Sequence, residues 1–376
     1  MSLTGYSYPW DYVDDDDAAH RLSSLNLDAV ALAGAYHAAR LATPLHPTRK
    51  ITTVSRSALY APIRDEVWAG RRLRPSAPEG WIGPGAFERA AEQLAQRDLA
   101  VLGWVALTHH DELGAANPDL VVRNAFGDRY SYALCPSQEE VREYCRTLCL
   151  ETLRVAPLSG LVLEACGPMG VEHAGIHDKT SMARLTDVAR DLLSICFCAA
   201  CRHEFELSGV DVGELSQMVR DALETGAPTL DDALTHYADA VRTIQRCRAT
   251  RLQREITVAL RAENPATTVV LHASATPWAF GSFAASDADT LARVDVAVAN
   301  CWGENEECQR ELDSLAALSE HVGAYLRLDY EWERLESVLE RARPLGVTEL
   351  HLYHVGLLSH ASALTARRVA DYWRSS

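Results

Sequence analysis

The chain has 376 residues, 48% hydrophobic and 23% charged, a balance that supports a large buried core and excludes disorder. Its formal charge of -16, from 36 Lys and Arg against 52 Asp and Glu, repels phosphate backbones and anionic lipid heads, so nucleic acid and membrane surfaces are excluded as partners. Residues 1–17 lack a basic segment followed by an apolar one, and no stretch approaches the ~20 apolar residues of a membrane span, which places the chain in the cytoplasm.

Parallel strands covered on both faces appear as short apolar runs, each followed by a helical segment. Eight such runs are predicted. The first is 29–35, ending in Tyr36 and His37, and the second is 51–54, soon followed by Arg56 and Ser57. A decorated loop carries Trp68 and Trp81, and a helical stretch covers 85–97. The third run, 100–107, ends in Thr108, His109, His110 and Asp111. The next helix is predicted to begin near Ser137, whose hydroxyl three residues before Glu140 matches a capping box, and to run to about Arg154.

The fourth run, 160–163, terminates in Glu164. An insertion over 166–265 then separates it from the fifth, 267–271, which ends in His272 and precedes Trp278. The sixth, 294–299, ends at Asn300 and Trp302; the seventh, 323–328, at Asp329; the eighth, 349–352, at Tyr353 and His354. Alternation of short strands with longer helices specifies parallel crossovers, and eight units favour closure. The predicted fold class is therefore α/β: one (β/α)8 TIM barrel domain over 1–376, with a long helical, cysteine-bearing insertion after strand 4. An open doubly wound sheet would show a glycine-rich phosphate turn after an early strand, and Gly34 alone does not provide one.

Ten cysteines in a reducing compartment do not form a disulfide framework, and three of them crowd into Cys196, Cys198 and Cys201. One tight turn can present these thiolates to a tetrahedral Zn2+. Cys135, Cys166 and His203 are candidates for the fourth ligand. Cys135 is preferred, because in a barrel the loop after the third strand adjoins the loop after the fourth. Four sulfurs would close the site, giving a structural Zn2+ and no catalytic cofactor. The plainer reading makes these cysteines buried apolar fillers.

The element Cys196-Phe197-Cys198-Ala199-Ala200-Cys201, following a strand-ending Glu, resembles the zinc-bearing β-galactosidases of glycoside hydrolase clan A. In that family the cysteine run follows the strand carrying the catalytic acid, and an earlier cysteine before a helix completes the zinc site. Cys135-Pro136-Ser137, leading to Val141, Arg142, Glu143 and Tyr144, looks like that earlier element. The stretch also resembles a wider group of glycoside hydrolase-like barrels, in which Asn117, Pro118 and Asp119, then 124–127, then Cys135-Pro136 recur before a helix. The likeness covers 100–205. Leu163 stands before Glu164 where the galactosidases have Asn. The zinc-bearing relatives form trimers, so the resemblance implies a homo-oligomer.

Cleaving a glycosidic bond needs one carboxyl group to protonate the leaving oxygen and a second to stabilise or capture the oxocarbenium-like centre. Barrel enzymes place such groups at strand C-termini. The resemblance implies acid/base work for Glu164 on strand 4 and nucleophilic work for Asp329 on strand 7. Glu331 competes for the second role, since the family normally uses Glu there. Without function, Glu164 is a salt-bridged strand-end carboxylate, and Asp329 caps the helix opened by residues 330–332. Candidate substrate-binding residues are His37, His110, Glu172, His173, His177, His272, Asn300, Trp302 and Tyr353. Trp302 is the best flat face for a sugar ring, with Trp104 and Trp278 as others. Each strand-end His taken alone reads as hydrogen-bonded scaffolding.

The first functional reading is a retaining glycoside hydrolase acting on a small carbohydrate. The second is a non-catalytic carbohydrate-binding or regulatory barrel. A third is a metal-dependent lyase or isomerase built on the His173 and His177 loop, although Gly175 between them argues against a helical ligand pair.

Overall fold

The computed structural model describes residues 1–172 and 179–375; the predicted ligands His173 and His177 lie outside them. Eight strands form a closed parallel barrel: β1 (Ser2–Ser7), β2 (Ala29–Tyr36), β3 (Ala100–Ala106), β4 (Gly160–Glu164), β5 (Thr268–Ser274), β6 (Val296–Asn300), β7 (Val322–Leu326) and β8 (Glu349–Leu352). Each strand pairs with the next, and Ser2 opposite Glu349 joins β1 to β8 and removes any edge. This is the (β/α)8 architecture expected from the sequence.

Two strands differ from expectation. The first staves of the barrel are Ser2–Ser7 and Ala29–Tyr36, and Ile51–Val54 instead pairs antiparallel with Ala39–Ala42 in a hairpin outside the barrel. The physical reason lies in the barrel's interior. Its layers usually hold branched aliphatics, but here they hold Tyr6, His272 and His351, all fully buried, so a strand reading Ser-Leu-Thr-Gly-Tyr-Ser belongs inside without an apolar run. Ile51–Val54 alternates exposed and buried residues, the pattern of a half-covered hairpin strand.

Helices cover the barrel. Ala86–Ala95 starts after Gly85, whose φ of 71° lies in the left-handed region that only glycine enters freely. Glu139–Leu153 begins one residue after Gln138; the expected Ser137 cap is not used, because its hydroxyl donates to Glu204. Between β4 and β5 come Asp187–Ser194, Ala199–Leu207, Val212–Thr225, Leu230–Leu234 and Ala238–Glu263. The first four, with the start of the last, close around their own apolar core of Leu192, Ile195, Phe205, Leu215, Val219 and Val241. Further along, Ala238–Glu263 packs against Glu139–Leu153 and serves as the barrel's own helix. Its buried Gln253 donates to the carbonyls of Cys166 and Ala285 and accepts from Ser286, tying the loops after β4 and β5 together.

Candidate functional site

Glu164 is the last residue of β4, and its neighbours follow from register. Ala106 of β3 stands opposite Glu164, so Trp104, two residues earlier, shares its face, and Trp104 Nε1 donates to Glu164 Oε2 at 2.6 Å. Leu271 of β5 stands opposite Leu163, which sets His272 level with Glu164; His272 Nδ1 lies 4.0 Å from Oε2. Tyr36, Tyr325 and Tyr353 stand within electrostatic reach, and Ser282 donates a hydrogen bond. The residue is 8% exposed. Burial pushes its pKa up to about 7, against the two hydrogen bonds that favour the ion. Among the described residues no second carboxylate raises it by direct charge repulsion.

Aromatic rings wall the mouth. Trp302, half-buried in the turn after β6, meets Tyr353 edge-on at 4.5 Å and Tyr325 at 5.2 Å. Tyr8 stacks on Trp10 and on His354, with its hydroxyl 3.2 Å from His354 Nε2. His37 stacks between Tyr36 and His109. Two residues that leave the strands here, Ala165 at φ 50° and His354 at φ 48°, hold left-handed backbone, a strain of about 1 kcal/mol or more each that packing must offset.

Asp329 and Glu331 follow the end of β7. Both are exposed. Arg327 grips Asp329 through Nε at 3.0 Å and a second nitrogen at 2.6 Å, and these bonds hold the carboxyl below the usual carboxylate range. Glu331 precedes helix Trp332–Ala342 as its N-cap without a side-chain cap bond. The expectation that Asp329 caps this helix is thereby corrected. Tyr353 feels both Glu164 and Asp329, with its pKa pushed up to about 12 mainly by burial.

The other predicted contacts divide. The structure gathers Glu164, His272, Trp302 and Tyr353 with Trp104, and sets His37 at the rim. Asn300 closes a turn, accepting from the Trp302 backbone at 3.0 Å. His272 lies inside β5 and not at its end. His110 caps helix Asp111–Ala116 by accepting from Leu113, and its ring faces Tyr144, away from the mouth; burial lowers its pKa to about 4. Glu172 is exposed and paired with Arg190 at 3.0 Å. Tyr6, Tyr8, Tyr325, Phe283, Ser282 and His109 were not foreseen. The alternation of Tyr6, Tyr8 and Trp10 was the one available signal, an inward-facing period of two.

The cysteine cluster forms a second centre. Cys135, Cys196, Cys198 and Cys201 are all buried, with their sulfurs within 4.8 Å of one another. Cys135 Sγ lies 3.4 Å from Cys201 Sγ and 3.7 Å from Cys198 Sγ. A tetrahedral ion with bonds of about 2.3 Å sets its sulfurs roughly 3.8 Å apart, so the four fit a metal ion. Cys198 is the N-cap of Ala199–Leu207 and Cys201 lies in its first turn, where free N–H groups favour thiolates. Backbone N–H groups of Arg123 and Cys198 point at Cys196 Sγ at 3.4 Å, and buried Arg248 lies close enough to offset negative charge. Cys166 and His203 are not part of the cluster.

No family model and no curated protein matches the sequence. Solved structures do match. The catalytic domain of β-amylase from Paenibacillus polymyxa aligns with a TM-score of 0.57 at 10% identity, over 98% of this chain and 97% of that one. α-L-Fucosidase isoenzyme 2 from Paenibacillus thiaminolyticus gives 0.56 at 10% identity over 99% of this chain, and the GH42 β-galactosidase Gan42B gives 0.54 at 11% over 99%. All three are glycoside hydrolases. The chain spans 49% of the fucosidase and 56% of the galactosidase, so it matches about half of their length. At these identities the shared property is the barrel fold. Among the described residues, no helix is long and apolar enough to cross a membrane.

Proposed function

We propose that this chain is a carbohydrate-active enzyme, a retaining glycoside hydrolase whose general acid is Glu164. The observation that carries the reading is a buried strand-end carboxyl, pushed up to about 7, beneath an aromatic mouth. Such a group keeps its proton near neutral pH and can deliver it to a glycosidic oxygen. Asp329 supplies the opposite environment. Its Arg327 partner keeps it ionised, as a second carboxylate must be to meet an oxocarbenium-like carbon. Glu164 gives its proton to the leaving oxygen as the glycosidic bond breaks and Asp329 bonds to the anomeric carbon; Glu164 then removes a proton from the incoming water, which displaces Asp329 from that carbon. Trp302 and Tyr353 offer flat faces for the apolar side of a sugar ring.

The same reading gives Cys135, Cys196, Cys198 and Cys201 to a structural Zn2+. Four sulfurs leave no open coordination position, so the ion when bound holds the loop after β3 against the insertion and takes no part in the reaction. Reduced thiols fit a cytoplasmic protein.

A screen of the wild-type protein and Glu164→Gln against alkyl glycosides and oligosaccharides, whose leaving groups need a proton, tests the proposal. Turnover in the wild type with loss in the variant supports it; full turnover in both sinks it. A second reading, a carbohydrate-binding barrel without turnover, draws on the exposed, Arg-paired state of Asp329. It predicts that sugars raise the melting temperature of both proteins while neither releases product.

A further inference from the structure

A chain of polar side chains runs down the barrel axis from Glu164 to the opposite face. The Tyr6 hydroxyl lies 2.8 Å from His272 Nε2 and 3.0 Å from His351 Nδ1. Beyond these rings, His272 Nδ1 lies 4.0 Å from Glu164 Oε2 and His351 Nε2 lies 3.4 Å from Glu349 Oε2. Both outer nitrogens are buried; His272 Nδ1 has no hydrogen-bond partner among the described residues, and His351 Nε2 faces only the Glu349 carboxyl among them. Glu349 is the first residue of β8, at the N-terminal floor, and its side chain keeps 25% exposure. Gly323 makes room for the imidazole: a Cβ there would meet His351 Nε2 at 3.1 Å. Apolar side chains would fill this axis at lower cost, since buried polar groups lose their hydration.

We infer that Tyr6, His272 and His351 form a proton relay through which Glu349, on the barrel floor, sets the protonation of Glu164 at the mouth. Orientation fixes the direction. An ionised Glu349 accepts from His351 Nε2–H, which leaves His351 Nδ1 to accept from Tyr6 and the Tyr6 oxygen to accept from His272 Nε2–H. His272 Nδ1 then presents a lone pair to Glu164, which is satisfied only when Glu164 carries a proton. Four hops transfer that proton. The Glu164 O–H breaks as His272 Nδ1–H forms; His272 Nε2–H passes to Tyr6, the Tyr6 proton to His351 Nδ1, and His351 Nε2–H to Glu349. One proton has moved between the carboxylates, and both imidazoles and the phenol end neutral. The inner two contacts are at hydrogen-bond length, and the outer two must shorten for a hop.

Other groups face the two ends. At the floor these are Ser2 on β1 and the Met1 amino group just before it, both of which favour the Glu349 ion. Near the mouth they are Trp104, Ser282 and the tyrosines Tyr36, Tyr325 and Tyr353. The relay serves the acid role proposed above and so rests on that reading. Glu349, Tyr6, His272 and His351 act through Glu164 and are positioning residues.

The test reads Glu164 without substrate. Infrared difference spectra between the wild type and Glu164→Gln isolate its carboxyl band, and the band's intensity against pH gives the midpoint of titration. Glu349→Gln, whose amide can turn and donate to His351, and Tyr6→Phe, which breaks the centre of the chain, should each lower that midpoint by about one pH unit or more. The double variant should lower it no further than either alone. An unchanged midpoint in Tyr6→Phe overturns the relay. So does a Glu349→Gln shift of equal size in the wild-type and Tyr6→Phe backgrounds, since that is the field of a distant charge. If Tyr6→Phe does not fold by circular dichroism, His351→Leu interrupts the same chain and carries the same predictions. Failure of the glycosidase reading would instead appear as full turnover in Glu164→Gln, a result the titration does not depend on.

Discussion

The cysteine centre and the barrel mouth are built in opposite ways. Three of the four sulfurs come from six consecutive residues and the fourth from a neighbouring loop, so one turn of chain nearly completes the site. The mouth takes Tyr6 and Tyr8 from β1 and its end, Trp104 from β3, Glu164 from β4, His272 from β5, and Trp302, Tyr325 and Tyr353 from the last three strands or their exits. Each contributes one or two residues that look ordinary in sequence. The first site depends on local spacing, and the second exists only when the barrel is closed.

The largest expected effect breaks the local site. Cys198→Ser should cut bound metal from one equivalent per chain to near none, read by elemental analysis. A structural zinc site can contribute on the order of 10 kcal/mol to a small domain, so the insertion should unfold at lower temperature, while strands β1–β8 keep their circular dichroism signal. Wild-type protein without bound metal would show that the four sulfurs are core fillers.

The next effect belongs to the mouth. Trp302→Ala should raise KM for a glycoside substrate about tenfold, the loss of one stacked aromatic face, with a smaller change in kcat. A change confined to kcat would assign Trp302 to positioning Tyr353 and not to substrate.

The smallest effect is thermodynamic. Glu164 has a raised pKa in the folded chain, so the folded state binds a proton between about 4.5 and about 7 that the unfolded state has released. Stability is therefore fully present below pH 4.5 and lost as pH rises toward 7. Buried Asp11, also pushed up to about 7, adds to the same slope. Glu164→Gln should melt a few degrees higher than the wild type at pH 8 and nearly level with it at pH 4. Equal differences at both pH values would mean that the carboxyl is not held protonated.

How much of this the sequence disclosed follows the same contrast. The runs that became β2 to β8, apart from small shifts at their ends, were legible because parallel strands buried on both faces must be continuously apolar. Ser2–Ser7 was not, because it lines an interior that keeps Tyr6 beside two histidines. Missing it and counting Ile51–Val54 in its place left the numbering of strands 3 to 8 intact. Cys135, placed with Cys196, Cys198 and Cys201 by barrel adjacency, lies with them in space. Glu164 stood out as a charge closing an apolar run. His110 and His109 are adjacent, and sequence cannot say which faces inward; the structure turns His109 to His37 and uses His110 as a helix cap. Asp329 drew attention by position, but its Arg327 partner two residues earlier was the local clue to its environment.

The most direct test of Glu164 as general acid compares two substrates in Glu164→Gln. A glycoside with a poor leaving group needs the proton, and kcat/KM should fall about 10²–10⁴-fold; an activated aryl glycoside with an acidic phenol does not, and should lose far less. An equal loss on both substrates, or no loss on either, would contradict the assignment of Glu164 as the acid.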